Sequence, residues 1–257
     1  MCTLLLAPGV WDARLIVAAN RDERLDRPAS GPHAWPGEPL PFFAPRDDVA
    51  GGSWIGANRA GLFVGITNRS IGGGPSVISP DRRSRGALVL DALRSRSVDE
   101  AIRSARAHGP EAHNPFHLAL VDADDARVLG CDGWSFFEEE LTPGAVHIVT
   151  ERSYGAAGSG RDALLREQLA AFGSDEPSLE DWRSLLSARR ERSGDAPIAE
   201  AFDDVCVSVP AFGYGTRSST WVRLGADGEL RWATIEGPPS SAPFEEVSAS
   251  IPWGDRS

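Results

Sequence analysis

The chain contains no lysine, and all 26 of its basic residues are arginine. This absence excludes Schiff-base chemistry on a lysine and the phosphate-binding lysine of a P-loop. Because 37 residues are acidic, the formal net charge is −11. A charge of that sign disfavours nucleic acid and anionic membrane surfaces as partners, so we expect a small-molecule ligand instead.

Cysteine is also scarce, with three residues in the whole chain, Cys2, Cys131 and Cys206. An odd number without C-x-x-C spacing indicates neither a disulfide framework nor a zinc site, and it fits a reducing compartment. No stretch approaches the roughly 20 apolar residues of a membrane span, and the short apolar run after Cys2 lacks the basic region of a signal peptide. We therefore expect a soluble, cytoplasmic protein with no metal site and no stable membrane insertion.

The 257 residues, 41% of them hydrophobic, are most simply one domain spanning 1–257. Strands are predicted at 3–7, 14–19, 53–57, 61–67, 116–121, 127–131, 146–150, 205–209, 218–224 and 229–234. Helices are predicted around 88–93, at 97–107, at 162–172 and at 178–189, and residues 24–50 are predicted to be a long loop. Strands, two helices, strands, two helices and strands in that order predict an α+β fold, in which two mostly antiparallel sheets stack and helix pairs cover the outside.

Cys2 is the residue that gives the first strand a chemical interpretation. If Met1 is removed, Cys2 carries both a thiol and a free α-amine, which are a nucleophile and its own general base. The alternative is an ordinary small residue packed near a terminus, as free cysteines often are.

Polar clusters accompany three of the predicted strands, at Asn20–Glu23, Thr67–Arg69 and Tyr214–Thr220. The first cluster follows the strand that pairs with the Cys2 strand, so Asp22 could hold the terminal amine and Arg21 a thiolate or a carboxylate. The amide of Asn68 could serve an oxyanion hole. For each cluster the alternative is an ordinary polar segment at a strand end.

Taken together, these residues resemble the NRDE family, whose eukaryotic members are the transport and Golgi organisation protein 2 homologues. The resemblance rests on segments that occur in this order from Met1 to about Glu236: M-C-T at 1–3, N-R-D-E at 20–23, G-G-S-W-I-G-A-N at 51–58, G-I-T-N-R at 65–69, S-R-G-A-L-V at 84–89, N-P-F-H-L at 114–118 and G-T-R-S-S-T at 215–220.

That family in turn is similar to the N-terminal-nucleophile (Ntn) hydrolases, in particular choloylglycine hydrolase and penicillin V acylase. The resemblance implies a four-layer αββα sandwich with Cys2 as nucleophile, Asp22 as the residue that orients its amine and Asn68 as an oxyanion donor. It further implies a cysteine amidohydrolase or acyltransferase acting on an amide or thioester, without a cofactor. The remaining substrate-binding candidates are Asn20, Arg21, Trp54, Arg69, Glu151 and Arg217.

Two positions depart from the acylase pattern. Ala19 stands where the acylases have an arginine, and Glu151 stands at the place of a mid-chain asparagine. An ionised glutamate accepts hydrogen bonds and does not donate them, so it is a poor oxyanion donor. The departure at Glu151 favours the alternative hypothesis of a non-catalytic carrier, for which the resemblance implies acyl-CoA, lipid or haem as the ligand. Separately, the chain could form an oligomer.

Overall fold

The computed structural model of the protein describes residues 2–71, 79–152, 154, 160–192 and 197–248. The strands in these ranges are β1 Cys2–Pro8, β2 Ala13–Arg24, β3 Ala29–Ala34, β4 Phe42–Asp47, β5 Ile55–Asn58, β6 Phe63–Asn68, β7 Phe116–Val121, β8 Ala126–Cys131, β9 Phe136–Glu140, β10 His147–Val149, β11 Ser208–Val209, β12 Tyr214–Gly225, β13 Leu230–Glu236 and β14 Glu245–Glu246. The α-helices are α1 Arg85–Leu93, α2 Val98–Ala107, α3 Gly160–Leu169 and α4 Leu179–Leu186.

The strands form two seven-stranded sheets. The first has the order β10-β1-β2-β12-β13-β14, with β11 paired to one end of β12, and the second runs β3-β4-β5-β6-β7-β8-β9. Neighbouring strands are antiparallel in both sheets. The predicted α+β class is confirmed, and the Cys2 strand lies inside its sheet, between β10 and β2.

Three hydrophobic cores separate four layers. Leu4 and Leu6 of β1 pack between the two sheets, whereas Leu5 and Ala7 pack against α3 and α4 on the outside. A third core lies between the second sheet and the helices α1 and α2. Because successive side chains of a strand point to opposite faces, burial of both faces requires the nearly continuous apolar runs seen in the sequence. The layer order is αββα, as expected.

The helices α2 and α4 begin at serine side-chain caps. The Ser178 hydroxyl accepts from the backbone of Asp181, and the Asp181 carboxylate accepts in return from Ser178, which is a complete capping box. Ser97 likewise caps α2, but the Glu100 carboxylate accepts from the backbone N–H of Arg96 instead of Ser97. The capping box that Ser97 and Glu100 could form is therefore only half formed.

The prediction of a long loop at 24–50 is wrong, since this segment contributes the strands β3 and β4. Both strands contain proline, which misled the prediction, and both positions tolerate it. β3 is an edge strand, and β4 pairs with β5 only through Phe42 and Phe43, which leaves Pro45 beyond that ladder. The short strand β9 at the opposite edge was also not predicted.

β2 is longer than predicted and ends at Arg24 instead of Ala19. The Asn20–Glu23 cluster therefore lies within a paired strand, and not in the turn that leaves it. Since side chains alternate along β2, the cluster presents residues to both faces of the first sheet. Among the described residues, no helix is long and apolar enough to cross a membrane.

Candidate active site

Cys2 is the first residue of β1 and lies opposite Arg21 of β2. Both residues continue the alternation of Leu4 and Val17, so their side chains face the second sheet. The hairpin thus brings Cys2 beside the polar cluster of β2. Met1, whose removal would free the amine of Cys2, lies outside the described residues.

The surroundings of the Cys2 thiol favour its protonated form. Burial raises its pKa, and the nearby carboxylate of Asp22 acts in the same direction. The guanidinium of Arg21 and a hydrogen bond from the backbone of Asp22 act against this rise without cancelling it. A thiol in this state needs a base to become a nucleophile.

Asp22 faces the outer helical layer and is 2% exposed. Its Oδ1 accepts from the hydroxyl of Thr216 at 2.8 Å, and its Oδ2 accepts from Nη1 of Arg161 at 3.2 Å. Burial raises the pKa of Asp22, while Arg161 and Thr216 oppose that rise. The hydroxyl of Thr216 also accepts from the backbone N–H of Val207 at 2.9 Å, which fixes its own orientation.

Arg161 at the start of α3 is fully buried and joins three parts of the site. Its Nη1 lies 3.2 Å from Oγ1 of Thr3, 3.2 Å from Asp22 and 3.4 Å from Oε2 of Glu151. Its Nη2 donates to the carbonyl of Phe202 at 2.6 Å. One guanidinium thus serves two buried carboxylates beside the Cys2 strand.

Glu151 follows β10 and is 4% exposed. Its carboxylate contacts Arg161, and its backbone carbonyl accepts from Ser70 at 2.6 Å. Position 151, which corresponds to the mid-chain asparagine of the acylases, therefore does adjoin the site. It holds an acceptor that is bound to an arginine, in place of an amide donor.

Asn68 is the last residue of β6 and lies opposite Phe116. The preceding residue, Thr67, donates from its hydroxyl to the carbonyl of Thr150 at 3.1 Å, which joins the end of β6 to the segment carrying Glu151. The guanidinium of Arg69 lies 4.6 Å from the ring centre of Phe137 on β9. Asn68 pairs with Phe116, which packs towards α1 and α2, so the alternation of β6 places Asn68 on that outer face and not beside Cys2, while Arg69 reaches across the second sheet.

Arg21 crosses the space between the sheets. Its guanidinium carbon lies 4.1 Å from the ring centre of Trp54, and its Nη2 lies 3.6 Å from a carboxylate oxygen of Asp47. The structure thus brings together Cys2, Arg21 and Trp54 of the predicted set. A stacked guanidinium is pre-oriented for binding an anion.

Asn20 is turned away from this space. Its Nδ2 donates to the carbonyls of Leu186 and Val205, both at 2.9 Å, and its Oδ1 accepts from Ser219 at 2.6 Å. These bonds use both amide hydrogens and tie β2 to the end of α4. This geometry gives Asn20 a structural role and leaves no N–H donor for a substrate.

Arg217 lies at a bulge of β12, where the pairing with β2 shifts between Thr216 and Ser218. Its Nη1 is 3.5 Å from a carboxylate oxygen of Glu236, whose side chain is 56% exposed. This ion pair places Arg217 at the rim of the first sheet. Such a position fits an anchor on the strand better than a group beside the thiol.

Two arginines of this region were not predicted. Arg161 comes after a glycine-rich segment and has no motif around it, so its burial depends on the docking of α3. Arg85 opens α1 within the S-R-G-A-L-V segment, and its Nη1 donates to the carbonyl of Pro115 at 3.1 Å. Burial lowers the pKa of Arg85, while the charges of Cys2 and Glu23 oppose that change, which places this cation near the nucleophile.

Comparison with known proteins identifies relatives over most of the chain. Residues 1–236 match the family described as Transport and Golgi organisation 2. The chain is 30% identical over 244 residues to the bovine (Bos taurus) Transport and Golgi organization protein 2 homolog, which covers 84% of each sequence. It is 25% identical over 249 residues to the human (Homo sapiens) homolog, with the same coverage.

Solved structures with the same fold are hydrolases. The Caenorhabditis elegans ortholog of N-acylethanolamine-hydrolyzing acid amidase superposes with a TM-score of 0.55 at 14% identity, covering 86% of this chain and 92% of that one. A C2A mutant of the conjugated bile acid hydrolase from Clostridium perfringens gives 0.53 at 12% identity, covering 96% and 92%. At these identities the likeness shows the fold alone, which is that of the Ntn hydrolases.

Proposed function

This chain belongs to the Transport and Golgi organisation 2 family, and we propose that it is an N-terminal cysteine amidohydrolase or acyltransferase. Its substrate would be an amide or thioester of a small molecule. The observation that carries the proposal is the position of Cys2 at the start of β1, directly beside a buried Asp22 that Thr216 and Arg161 hold in place.

The reaction uses the thiol and the amine of the same residue. After removal of Met1, the α-amine of Cys2 takes the thiol proton while sulfur bonds to the substrate carbonyl carbon. The C–N or C–S bond of the substrate then breaks, and the proton passes to the leaving group. Water cleaves the resulting thioester to an acid and restores the thiol; an acceptor amine or thiol in place of water gives acyl transfer.

Asp22 positions the amine and does not touch the thiol. An α-amine has a pKa near 8, so it can accept a proton at neutral pH only if a fair fraction of it is neutral. A fully ionised carboxylate beside it would stabilise the ammonium form. Burial raises the pKa of Asp22, and the Arg161 guanidinium partly neutralises the charge of its carboxylate. The carboxylate can therefore orient the amine while stabilising the ammonium form less strongly.

The oxyanion donor is the least complete part of this arrangement. Asn68 stands at the end of β6, but the alternation of that strand turns it towards α1, and Glu151 accepts from Arg161 instead of donating. Removal of one oxyanion donor typically lowers kcat by about 10²–10³-fold. We therefore expect a slow enzyme, or one in which a further donor completes the site.

The same observation on Glu151 favours a second candidate, a carrier that binds an acyl-CoA, a lipid or haem without turnover. Haem fits the site residues poorly, because Cys2 is the only one of them that is a usual axial ligand of haem iron. Asp22, Arg161 and Glu151 offer no iron ligand of the usual haem type. The carrier hypothesis is thus better suited to an acyl ligand.

Intact-mass spectrometry before and after incubation with a panel of acyl amides and acyl thioesters tests the enzyme against the carrier. The enzyme predicts a chain without Met1, an acyl adduct on the Cys2 peptide, and turnover that Cys2→Ala abolishes and Cys206→Ala keeps. Cys206 is the matched control, since it is a fully buried thiol on the segment before β11. Retention of Met1 would refute the mechanism. Binding of a substrate without an acyl adduct or turnover would support the carrier. A carrier of haem would in addition shift the Soret band of added haem.

A further inference from the structure

A row of three side chains crosses the first sheet at the candidate nucleophile. Arg21 of β2 lies opposite Cys2 on β1 and opposite Ser218 on β12. The regular alternation of β12 from Ser218 to Val222 places Ser218 on the same inner face as Val222 and Leu224. Cys2, Arg21 and Ser218 are therefore neighbours on the face that looks towards the second sheet.

Two donors in this row have no hydrogen-bond partner within the described part of the chain. Among the described residues, Nη1 of Arg21 and Oγ of Ser218 are buried and make no hydrogen bond, and each residue is 5% exposed. A buried polar group without a partner costs about 1–3 kcal/mol, and more if it is charged. Two such donors side by side therefore point to an acceptor that is supplied by a ligand.

The charge of Arg21 is only partly neutralised within the protein. Asp47 lies 3.6 Å from Arg21 but 2.9 Å from Nε of Arg27, so its carboxylate is engaged more closely by the second arginine. Trp54 holds the guanidinium plane from one side. Nη1 is thus a positively charged donor without a protein partner among the described residues, on a guanidinium held against Trp54 in the row that contains the thiol.

We propose that Arg21 and Ser218 form an anion-binding subsite, which binds a carboxylate or phosphate group of the ligand next to Cys2. This inference deepens the proposed function, on which it rests for the choice of Cys2 as the reacting atom. Ligand enters from the Cys2 end, where the row is only partly buried.

The spacing of the strands limits where the anion can be. Neighbouring strands lie about 4.8 Å apart, so an anion held between β2 and β12 lies roughly 5–8 Å from the sulfur of Cys2. Since reacting atoms approach to about 3–3.5 Å, the anion is about two to four bonds from the attacked carbon. The substrate class is therefore an amide or thioester with an acidic group close to its scissile bond.

A pair of alkylating reagents tests this subsite without any need for turnover. N-iodoacetylglycine carries a carboxylate four bonds from the attacked carbon, and N-iodoacetylglycinamide is its neutral analogue. In both reactions the sulfur–carbon bond forms and iodide leaves. The ratio of the two rate constants at Cys2 cancels changes in thiol reactivity, and it is read by mass spectrometry on the tryptic peptide 2–14, which contains no other cysteine.

We expect the acidic-to-neutral ratio to fall at least about tenfold in Arg21→Met and several-fold in Ser218→Ala, as loss of charge-assisted and neutral donors implies. Arg24→Met is the matched control, since it removes an equal charge from the same strand at a side chain that is 65% exposed. Its ratio should match that of the parent protein. If Arg21→Met does not fold, Ser218→Ala decides.

Acetate and inorganic phosphate, added as competitors against the neutral reagent, distinguish the two anions. Stronger protection of Cys2 by one of them assigns the subsite to that class. A ratio that is equal in the parent, Arg21→Met and Ser218→Ala proteins would overturn the proposal, as would an equal fall in Arg24→Met. If the protein shows no turnover but keeps a high acidic-to-neutral ratio, only the proposed catalysis is contradicted. If it turns over substrate but the ratio is the same in the parent and the variants, only the subsite is contradicted.

Discussion

Arg161 is the residue on which the buried charges of the site depend, and its replacement by methionine is the strongest perturbation that we predict. Methionine keeps much of the apolar stem and removes the guanidinium. Asp22 and Glu151 then remain as two buried carboxylates on neighbouring segments. The hydrogen bond to the carbonyl of Phe202 is lost as well.

The magnitude follows from the two ion-pair distances. With an effective dielectric constant of about 20, contacts at 3.2 and 3.4 Å each correspond to about 5 kcal/mol of attraction. Burying the guanidinium offsets much of this sum, because its desolvation costs several kcal/mol. Breaking a buried pair by removing one partner costs about 3–5 kcal/mol, which we expect for Arg161→Met.

Urea unfolding at pH 7, followed by circular dichroism, measures this loss. Arg166→Met is the matched control on the same helix, since Arg166 is 64% exposed and pairs only with Asp162 four residues earlier among the ion pairs of the described residues. Its loss should change the free energy of unfolding by less than about 0.5 kcal/mol. Glu151→Gln in the Arg161→Met background should restore part of the stability, because one of the two uncompensated charges disappears.

The pH dependence provides a second readout. Without Arg161, the pKa of Asp22, which burial already raises, would rise further above its unfolded value, so the folded form would bind a proton more tightly. The stability of Arg161→Met should therefore rise as the pH falls from 7 towards 5. A loss below 1 kcal/mol, or a Glu151→Gln change that adds to the damage, would refute the charge balance assigned to this site.

Two further predictions concern the residues around the site. Asn58 donates to the carbonyls of Leu93 and Ser95 and accepts from two backbone N–H groups of its own turn. Asn58→Ala should therefore lower the free energy of unfolding by about 2–4 kcal/mol in urea titrations. A change below about 0.5 kcal/mol would contradict this role. Burial raises the folded pKa of Asp22 above its unfolded value, so the contribution of this group to stability falls as the pH rises through that window. Asp22→Asn should therefore show a smaller fall in the free energy of unfolding from pH 4 to 7 than the parent, and an equal or steeper fall in urea titrations would oppose this.

Much of the fold follows from local patterns in the sequence. The buried strands β1, β6 and β7 read as apolar runs because both of their faces are covered, and Ser97 and Ser178 mark the starts of α2 and α4. The strands β3, β4 and β9 could not be predicted in this way. They lie at or next to the edges of the second sheet, where β3 and β9 pair on one side only and the ladder from β4 to β5 is short, so proline or charge is tolerated.

The site divides along the same line. Cys2 and Asp22 could be placed together from the sequence, because a hairpin fixes the register of neighbouring strands. Arg161 could not, since its contacts with Thr3 and Asp22 span 158 and 139 positions and depend on how α3 docks. The unpartnered donor of Ser218 likewise becomes visible only when its row across three strands is known.

The N-R-D-E segment shows why a short motif can organise a site of this kind. Because it lies within β2, its alternate residues serve different layers. Asn20 binds the end of α4 and Asp22 binds Arg161 of α3, both on the outer face, while Arg21 crosses the inner face to Trp54. A one-residue shift in the register of β2 would therefore exchange the anion-binding and helix-binding side chains at once, which makes the pairing of Arg21 with Cys2 a condition for every role assigned to the motif.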